Sequence, residues 1–310
     1  MRVLLTGVTG FLGTSLVDYF QLDPSIVLYG HGRNREEAGR KFQHTSLIIV
    51  DSFDSQKLNE LKIDVIIHLA GIAHDLKGNF KSSDYYEVNF EGTKKIYQDF
   101  LLSSASKFIF LSSIKAAIDS WPTAVDEHIT CHPISDYGKS KLLAEQFIQS
   151  QKLPSSKAFY ILRPCMIHGP GNKGNLNVLY KFVKKGIPFP FGAFKNERSF
   201  LSIDNFTAIV NQLLRKEVPS GVYHLSDRET LSTINLYRLI CQVVRQKERV
   251  WFVPKPLIRS VFFLFGKTGQ LNKLTENAIV NNNKILSAIN IKLPVSSNEG
   301  LIKTIKSFHD

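Results

Sequence analysis

The chain has 310 residues, 43% hydrophobic and 21% charged, which excludes a disordered protein and leaves room for about two domains or one large α/β unit with an appendage. Three scattered cysteines (Cys131, Cys165, Cys241) with no CxxC exclude a disulfide framework and a cysteine zinc site, and suit a reducing, cytoplasmic compartment. The net charge of +12 favours anionic partners, but the basic residues are dispersed, which speaks against nucleic acid and for phosphorylated small molecules.

No targeting segment is expected, because Met1-Arg2 leads straight into Val3-Leu4-Leu5. Short, almost continuously apolar runs then recur at Val3–Thr6, Ile26–Tyr29, Leu47–Val50, Val65–Leu69, Phe108–Leu111 and Phe159–Leu162. Such runs are the mark of strands buried on both faces of a parallel sheet. Helical spacing lies between several of them. Leu12, Leu16, Tyr19 and Phe20 form one face, ended by Pro24. Val88, Gly92, Ile96 and Phe100 form another within Tyr85–Leu102, and Leu142, Leu143, Phe147 and Ile148 a third within Tyr137–Gln149. This alternation predicts an α/β fold with a doubly wound parallel sheet and right-handed crossovers.

After residue 163 the rhythm breaks. Gly169–Gly174 and Gly186–Gly192 read as loops, and Val222–Leu225 as a strand returning to the sheet. The expected division is a cofactor domain of residues 1–163 plus a returning segment near 200–226, and a smaller mixed substrate lobe of 164–199 and 227–310. The most apolar stretch, Leu257–Phe265, carries Arg259 and is less than half of the ~20 residues a membrane-spanning helix needs. Its Val261–Phe265 part is assigned to the core, with contact to a subunit or a membrane surface as the other reading.

The chain opens on Thr6-Gly7-Val8-Thr9-Gly10-Phe11-Leu12-Gly13, a GxxGxxG motif between the first strand and the first helix. Glycines at this place let the backbone turn tightly and approach a pyrophosphate at a helix N-terminus. Further along stands Tyr137-Gly-Lys-Ser-Lys141, which puts a phenol and an ammonium on one helical face. A neighbouring cation favours the phenolate, so Lys141 is expected to lower the Tyr137 pKa and make it an acid–base group.

Together these motifs resemble the extended short-chain dehydrogenase/reductase family over essentially the whole chain. The resemblance implies a nicotinamide cofactor held by Gly7, Gly10, Phe11, Leu12 and Gly13, and by Leu69, Ala70 and Gly71 of the His68-Leu-Ala-Gly71 segment. It implies that Asp51 and Ser52 lie near adenine, although Asp51 reads equally as a helix cap. It places Pro164 of Arg163-Pro164 beside the cofactor, Ser113 (with Ser112 as neighbour) at the reacting carbonyl, and Asn89 as an amide bridge near the site. At the end of the second strand an acidic residue is absent; His31, Arg33 and Arg35 stand there instead. An arginine pairs with a 2′-phosphate, so Arg33 directs the expectation to NADP, with NAD as the alternative.

Ile114-Lys115 occupies the place where the family's 4,6-dehydratases carry Asp-Glu, so dehydration is not expected. The resemblance further implies a UDP-sugar substrate, with Arg198 on its diphosphate and His74 and Asn175 as weaker contacts. Arg198 in a salt bridge with Glu197 or Asp204, and His74 on the surface, are the competing readings. Ser112-Ser-Ile-Lys115 and Lys185–Gly192 are most similar to 4-reductases and 4-epimerases of UDP-N-acetylhexosamines from bacterial polysaccharide pathways. The first expectation is NADPH-dependent reduction of a 4-keto UDP-deoxy-amino sugar, the second an NAD-dependent UDP-sugar 4-epimerase. By the same analogy the chain is expected to be a homodimer, while the short apolar stretch and the dispersed basic residues speak against a membrane span and a nucleic-acid partner.

Overall fold

The computed structural model describes residues 1–73, 80–119, 123–172 and 174–308. Seven strands form a wholly parallel sheet in the order β3-β2-β1-β4-β5-β6-β9. They are β1 (Arg2–Thr6), β2 (Val27–His31), β3 (Ile48–Ile49), β4 (Val65–His68), β5 (Lys107–Leu111), β6 (Ala158–Pro164) and β9 (Gly221–Leu225). The strands alternate their side chains between two apolar layers. Val3, Leu5 and Ile67 meet Leu16, Val17 and Phe20 of the Phe11–Phe20 helix and Phe206, Ile209 and Leu213 of the Ile203–Arg215 helix. Leu4, Ile66, Phe108 and Phe110 meet Tyr97, Phe100, Ala144 and Ile148 on the other side. Burial on both faces explains the unbroken apolar runs.

A second sheet orders β10 (Thr230–Leu231), β8 (Arg198–Ser202) and β7 (Met166–His168). Beside it, Tyr180, Phe189, Phe200, Tyr237, Ile240 and Leu301 form a separate apolar cluster. The Gly186–Gly192 segment contains no helix, as its breakers suggest, and bridges through Phe189 and Phe191 to Val250 and Phe252. Among the described residues no helix is long and apolar enough to cross a membrane.

Three helical faces differ from expectation. The Phe11–Phe20 helix buries Val17, whereas Tyr19 is exposed. From Ser82 to Leu102 the chain is helical, but a wide π turn at Tyr86–Glu91 turns Asn89, Thr93 and Tyr97 inward in place of Val88, Gly92 and Ile96. The Asp136–Ser150 helix buries Lys141, Ala144, Glu145 and Ile148, and leaves Leu143 exposed. Its inner face therefore carries charge, which an apolar pattern does not reveal. A fourth difference is larger: Val261, Phe263, Leu264 and Phe265 are exposed, not core.

Candidate active site

Most of the sequence-predicted residues gather at the carboxyl ends of the central strands, where Gly7, Arg33, Gly71 and Ser113 follow β1, β2, β4 and β5. Strand order reverses there, with β2 on one side of β1 and β4 on the other, which opens a crevice. Gly7 leaves β1 with φ +72 and donates its N–H to the His31 carbonyl at 2.9 Å. A Cβ on Gly7 would lie 2.7 Å from the Ala70 nitrogen, and one on Gly13 would lie 2.3 Å from the Gly7 oxygen. Only glycine permits this packing of turn, helix and β4 loop. Gly10 caps the Phe11–Phe20 helix without a side-chain acceptor, so its first turn presents backbone N–H groups to the crevice. Phe11 lies under the Gly169 loop, where a Cβ would come within 3.2 Å of its ring. This cradle suits the pyrophosphate of a dinucleotide.

At the end of β2 the two arginines part. Arg35 pairs with Asp51 at 2.6 Å, both exposed. Asp51 is not the helix cap; that role belongs to Asp54, which accepts from the Lys57 N–H at 2.8 Å. Ser52 is exposed beside Asp51. His31 turns its ring back to the Val50 carbonyl at 3.0 Å. Arg33 is exposed, and no salt bridge engages it among the described residues.

The end of β4 is fixed by a buried chain of hydrogen bonds. The Thr93 hydroxyl donates to the Asn89 carbonyl at 2.7 Å, so toward His68 Nε2, 3.0 Å away, it accepts. His68 therefore carries its proton on Nε2, and Nδ1 accepts from the Thr6 hydroxyl at 2.7 Å. Burial, reinforced by the Lys141 charge, pushes the His68 pKa down to about 3 and keeps the ring neutral. Asn89 accepts from the Ile72 N–H at 2.8 Å and donates to the Ile72 carbonyl and the Ser140 hydroxyl. It ties the Leu69-Ala70-Gly71 loop to the helix that bears Tyr137.

Ser113, Tyr137 and Lys141 come together from β5 and the Asp136–Ser150 helix. The helix starts at Ser135, whose hydroxyl accepts from the Gly138 N–H. Ser113 lies close enough to the Tyr137 phenol to pull its pKa down, and its own hydroxyl accepts from the Lys115 N–H at 3.2 Å. The Tyr85 ring stands edge-on to Tyr137, 6.4 Å between centroids. Lys141 donates to the Leu111 carbonyl at 2.9 Å, lies 4.8 Å from the Phe110 ring, and crowds Gly71, where a Cβ would be 3.0 Å from its Nζ. The lowering of the Tyr137 pKa expected from Lys141 is not found. Burial pushes the phenol up to about 12, against the opposing pull of the Ser113 hydroxyl. Burial likewise pushes Lys141 down to about 8, with Glu145 acting the other way.

The family model described as NAD dependent epimerase/dehydratase family matches residues 3–225. The chain is 31% identical to a UDP-glucose 4-epimerase of Vibrio cholerae, over 99% of this chain and 95% of that one. The chain belongs to the NAD-dependent epimerase/dehydratase family. Among other relatives of this epimerase/dehydratase-family enzyme, an N-acetyl-α-D-glucosaminyl-diphospho-ditrans,octacis-undecaprenol 4-epimerase of Escherichia coli O157:H7 is 29% identical over 83% of this chain and 76% of that one. The solved structure of UDP-glucuronic acid 4-epimerase from Bacillus cereus in complex with NAD superposes with a TM-score of 0.78, covering 100% of this chain and 99% of that one at 19% identity. That structural likeness is one of fold.

The remaining candidates of the family enzyme fall into three groups. Pro164 ends β6 at the same edge of the sheet, paired with Leu225. Arg198 opens β8 and donates to the Glu276 carbonyl at 3.1 Å; it lies within electrostatic reach of Cys165, the neighbour of Pro164. The salt-bridge alternatives for Arg198 are taken up elsewhere: Asp204 pairs with Lys303, and Glu197 accepts from the Thr230 hydroxyl. Ile114, Cys165 and Ala278 share a small apolar cluster that links the Ser113 loop to the chain beside Arg198. Asn175 starts the Asn175–Lys184 helix, but its side chain, and all of His74, lie outside the described residues.

A buried pair beside the candidate site escaped the sequence reading. Glu145 accepts from the Ser112 hydroxyl and from Arg163, whose Nε donates at 3.0 Å, and all three side chains are buried. Arg163 also reaches the Cys131 sulfur at 3.3 Å. Ser112 is thereby committed inward, which leaves Ser113 as the hydroxyl facing Tyr137. Glu145 stands one helical turn beyond Lys141, and that spacing was the available signal.

Proposed function

We propose that this enzyme is an NAD-dependent 4-epimerase of UDP-linked hexoses. The observation that carries it is the similarity to the Vibrio cholerae UDP-glucose 4-epimerase across almost the entire length of both chains. The gathered Ser113, Tyr137 and Lys141, and the lack of a carboxylate pair after Ser113, agree with an epimerase rather than a dehydratase.

Gly7, Gly10, Phe11, Leu12 and Gly13 would hold the pyrophosphate, and Leu69, Ala70, Gly71 and Pro164 would flank the nucleotide. Bound there, a nicotinamide dinucleotide supplies a reversible hydride acceptor. Ser113 orients the C4 hydroxyl of the sugar. Tyr137 removes the hydroxyl proton as the C4–H bond breaks, and returns it to the ketone oxygen once the sugar presents its other face. A phenol near 12 holds little phenolate at neutral pH, so this mechanism requires the Lys141 ammonium to stabilise the phenolate once substrate and cofactor are bound, and the same ammonium would bind the nicotinamide ribose. Arg198 holds the substrate diphosphate.

One observation favours the NADPH-dependent 4-reductase: among the described residues no salt bridge engages Arg33, which follows β2 where an acid would hold a ribose and would instead pair with a 2′-phosphate. One assay separates the two. Purified protein is given UDP-glucose or UDP-N-acetylglucosamine with catalytic NAD, and the C4 epimer is followed. Interconversion without net cofactor consumption supports the epimerase. Failure to epimerise, with stoichiometric NADPH oxidation on a 4-keto nucleotide sugar, would replace it with the reductase.

A further inference from the structure

The Lys255–Leu264 helix buries only one edge. Ile258 and Phe262 face inward, against Phe194, Leu271 and Phe191. Leu257, Val261 and Leu264 follow helical spacing on an outer stripe and are exposed. Phe263, Leu264 and Phe265 are 75%, 80% and 73% accessible, and Trp251 and Phe252 just upstream are exposed as well. Single exposed apolar residues are ordinary on a soluble surface. Five large ones along one short helix and its end are not.

Along the chain between Glu248, which pairs with Arg238, and Glu276, the charge of this segment has one sign. From Arg249 through Thr275 the charged residues are Arg249, Lys255, Arg259, Lys267 and Lys273, with no aspartate or glutamate. Arg249, Lys255, Arg259 and Lys267 are exposed. A cleft of about 280 Å³ opens between Val261, Phe262, Phe265 and Lys267, so a cation borders the apolar floor. An isologous pairing of two copies through this face would set these cations against each other. A surface that is apolar and anionic would satisfy both features.

We propose that the Lys255–Lys267 segment is a peripheral attachment site for an anionic lipid bilayer. The aromatic and aliphatic stripe enters the boundary between headgroups and acyl chains, while Arg259, Lys255 and Lys267 meet lipid phosphates. The segment belongs to the part of the chain that carries Arg198. Phe194 packs on its inner face, and the Thr268–Thr275 helix runs from it to Glu276, whose carbonyl accepts from Arg198. Attachment would therefore hold the candidate site close to the membrane. The proposal is independent of which sugar is epimerised.

The test is co-sedimentation of the full chain with vesicles of phosphatidylcholine alone, or of phosphatidylcholine mixed with phosphatidylglycerol. The protein should sediment with the mixed vesicles and remain free with the neutral ones. Two variants separate the contributions: F263S/L264S/F265S removes the apolar stripe, and R259E/K267E reverses charge. All five side chains are exposed, so both variants should melt like the parent, and each should bind at least about tenfold more weakly. No binding to mixed vesicles, or binding that both variants leave unchanged, would overturn the proposal. So would a parent that dimerises in solution through this face, with dimerisation lost in the serine variant and no vesicle binding. Sedimentation reads attachment without turnover, so its outcome does not depend on the epimerase assay.

Discussion

A β-carbon on Gly138 would lie 2.3 Å from the carbonyl oxygen of Lys115. The Tyr137 helix and the turn that begins at Ser113 thus touch backbone to backbone, and this contact sets the distance between the two hydroxyls. Gly138→Ala must push them apart. Overpacking of this kind costs about 1–3 kcal/mol, so the melting temperature should fall by several degrees. Turnover should fall further than the stability loss explains, with kcat affected more than KM. Thermal unfolding together with steady-state kinetics reads both.

Tyr137→Phe keeps the ring against Tyr85 and removes the hydroxyl that lies toward Ser113. Loss of a positioned acid–base group lowers turnover by roughly two to four orders of magnitude. Cofactor binding should persist, because the glycine cradle lies on other elements. Turnover within tenfold of the parent, measured with the fold intact, would remove Tyr137 from the chemistry.

The two arginines after β2 make distinct predictions. Arg33 is exposed and unpaired by any salt bridge among the described residues, whereas Arg35 is held by Asp51. Arg33→Ala should weaken NADPH binding more than NADH binding, and Arg35→Ala should change the ratio little. Calorimetry with both cofactors decides this. Equal losses for NADPH and NADH in Arg33→Ala would leave no role for a 2′-phosphate contact.

Much of this architecture was legible because its signals are physical necessities. Val3–Thr6 and Phe108–Leu111 read as strands because both their faces are buried, and the Gly7 and Gly13 spacing reads as a close approach because no side chain fits there. Other features leave no such trace. The Arg35–Lys41 and Ser55–Glu60 helices are short and polar, and are started by the side chains of Asn34 and Asp54 rather than by an apolar stripe. Glu145 and Arg163 stand 18 residues apart, and only the fold buries them against each other. Val261–Phe265 was misplaced because an apolar run states its affinity but not whether the chain itself supplies the partner.

Two buried histidines predict acid lability. His68 is held neutral with a pKa of about 3, and burial followed by the Arg163 charge pushes His224 to about 4. Unfolded, each titrates near 6.5. Between these values the unfolded chain binds protons that the native state excludes, so stability falls as pH falls below 6.5. Each histidine costs up to about 1.4 kcal/mol per pH unit within its window. Denaturant unfolding at pH 7 and pH 5 should show a loss of more than about 2 kcal/mol, and His224→Phe should recover part of it. A flat profile would mean that one or both rings charge freely in the native state.

Glu145 links the buried charges to the chemistry. Its carboxylate neutralises Arg163 and raises the Lys141 pKa, against a burial that holds that lysine near 8. Glu145→Gln leaves the Arg163 guanidinium buried without its counter-charge, which costs about 3–5 kcal/mol. The same change lets the Lys141 pKa drop further. On the proposed mechanism, the ammonium required for the Tyr137 phenolate is then lost at lower pH, so the alkaline limb of the turnover profile should move toward acid. A merely structural role would lower stability and leave the profile in place. The double variant Glu145→Gln with Arg163→Met removes both buried charges and should restore much of the stability. It should not restore the profile, because Lys141 still lacks its carboxylate. Recovery of the parental pH dependence in that double variant would assign the shift to misfolding around Arg163 instead of to the field of Glu145.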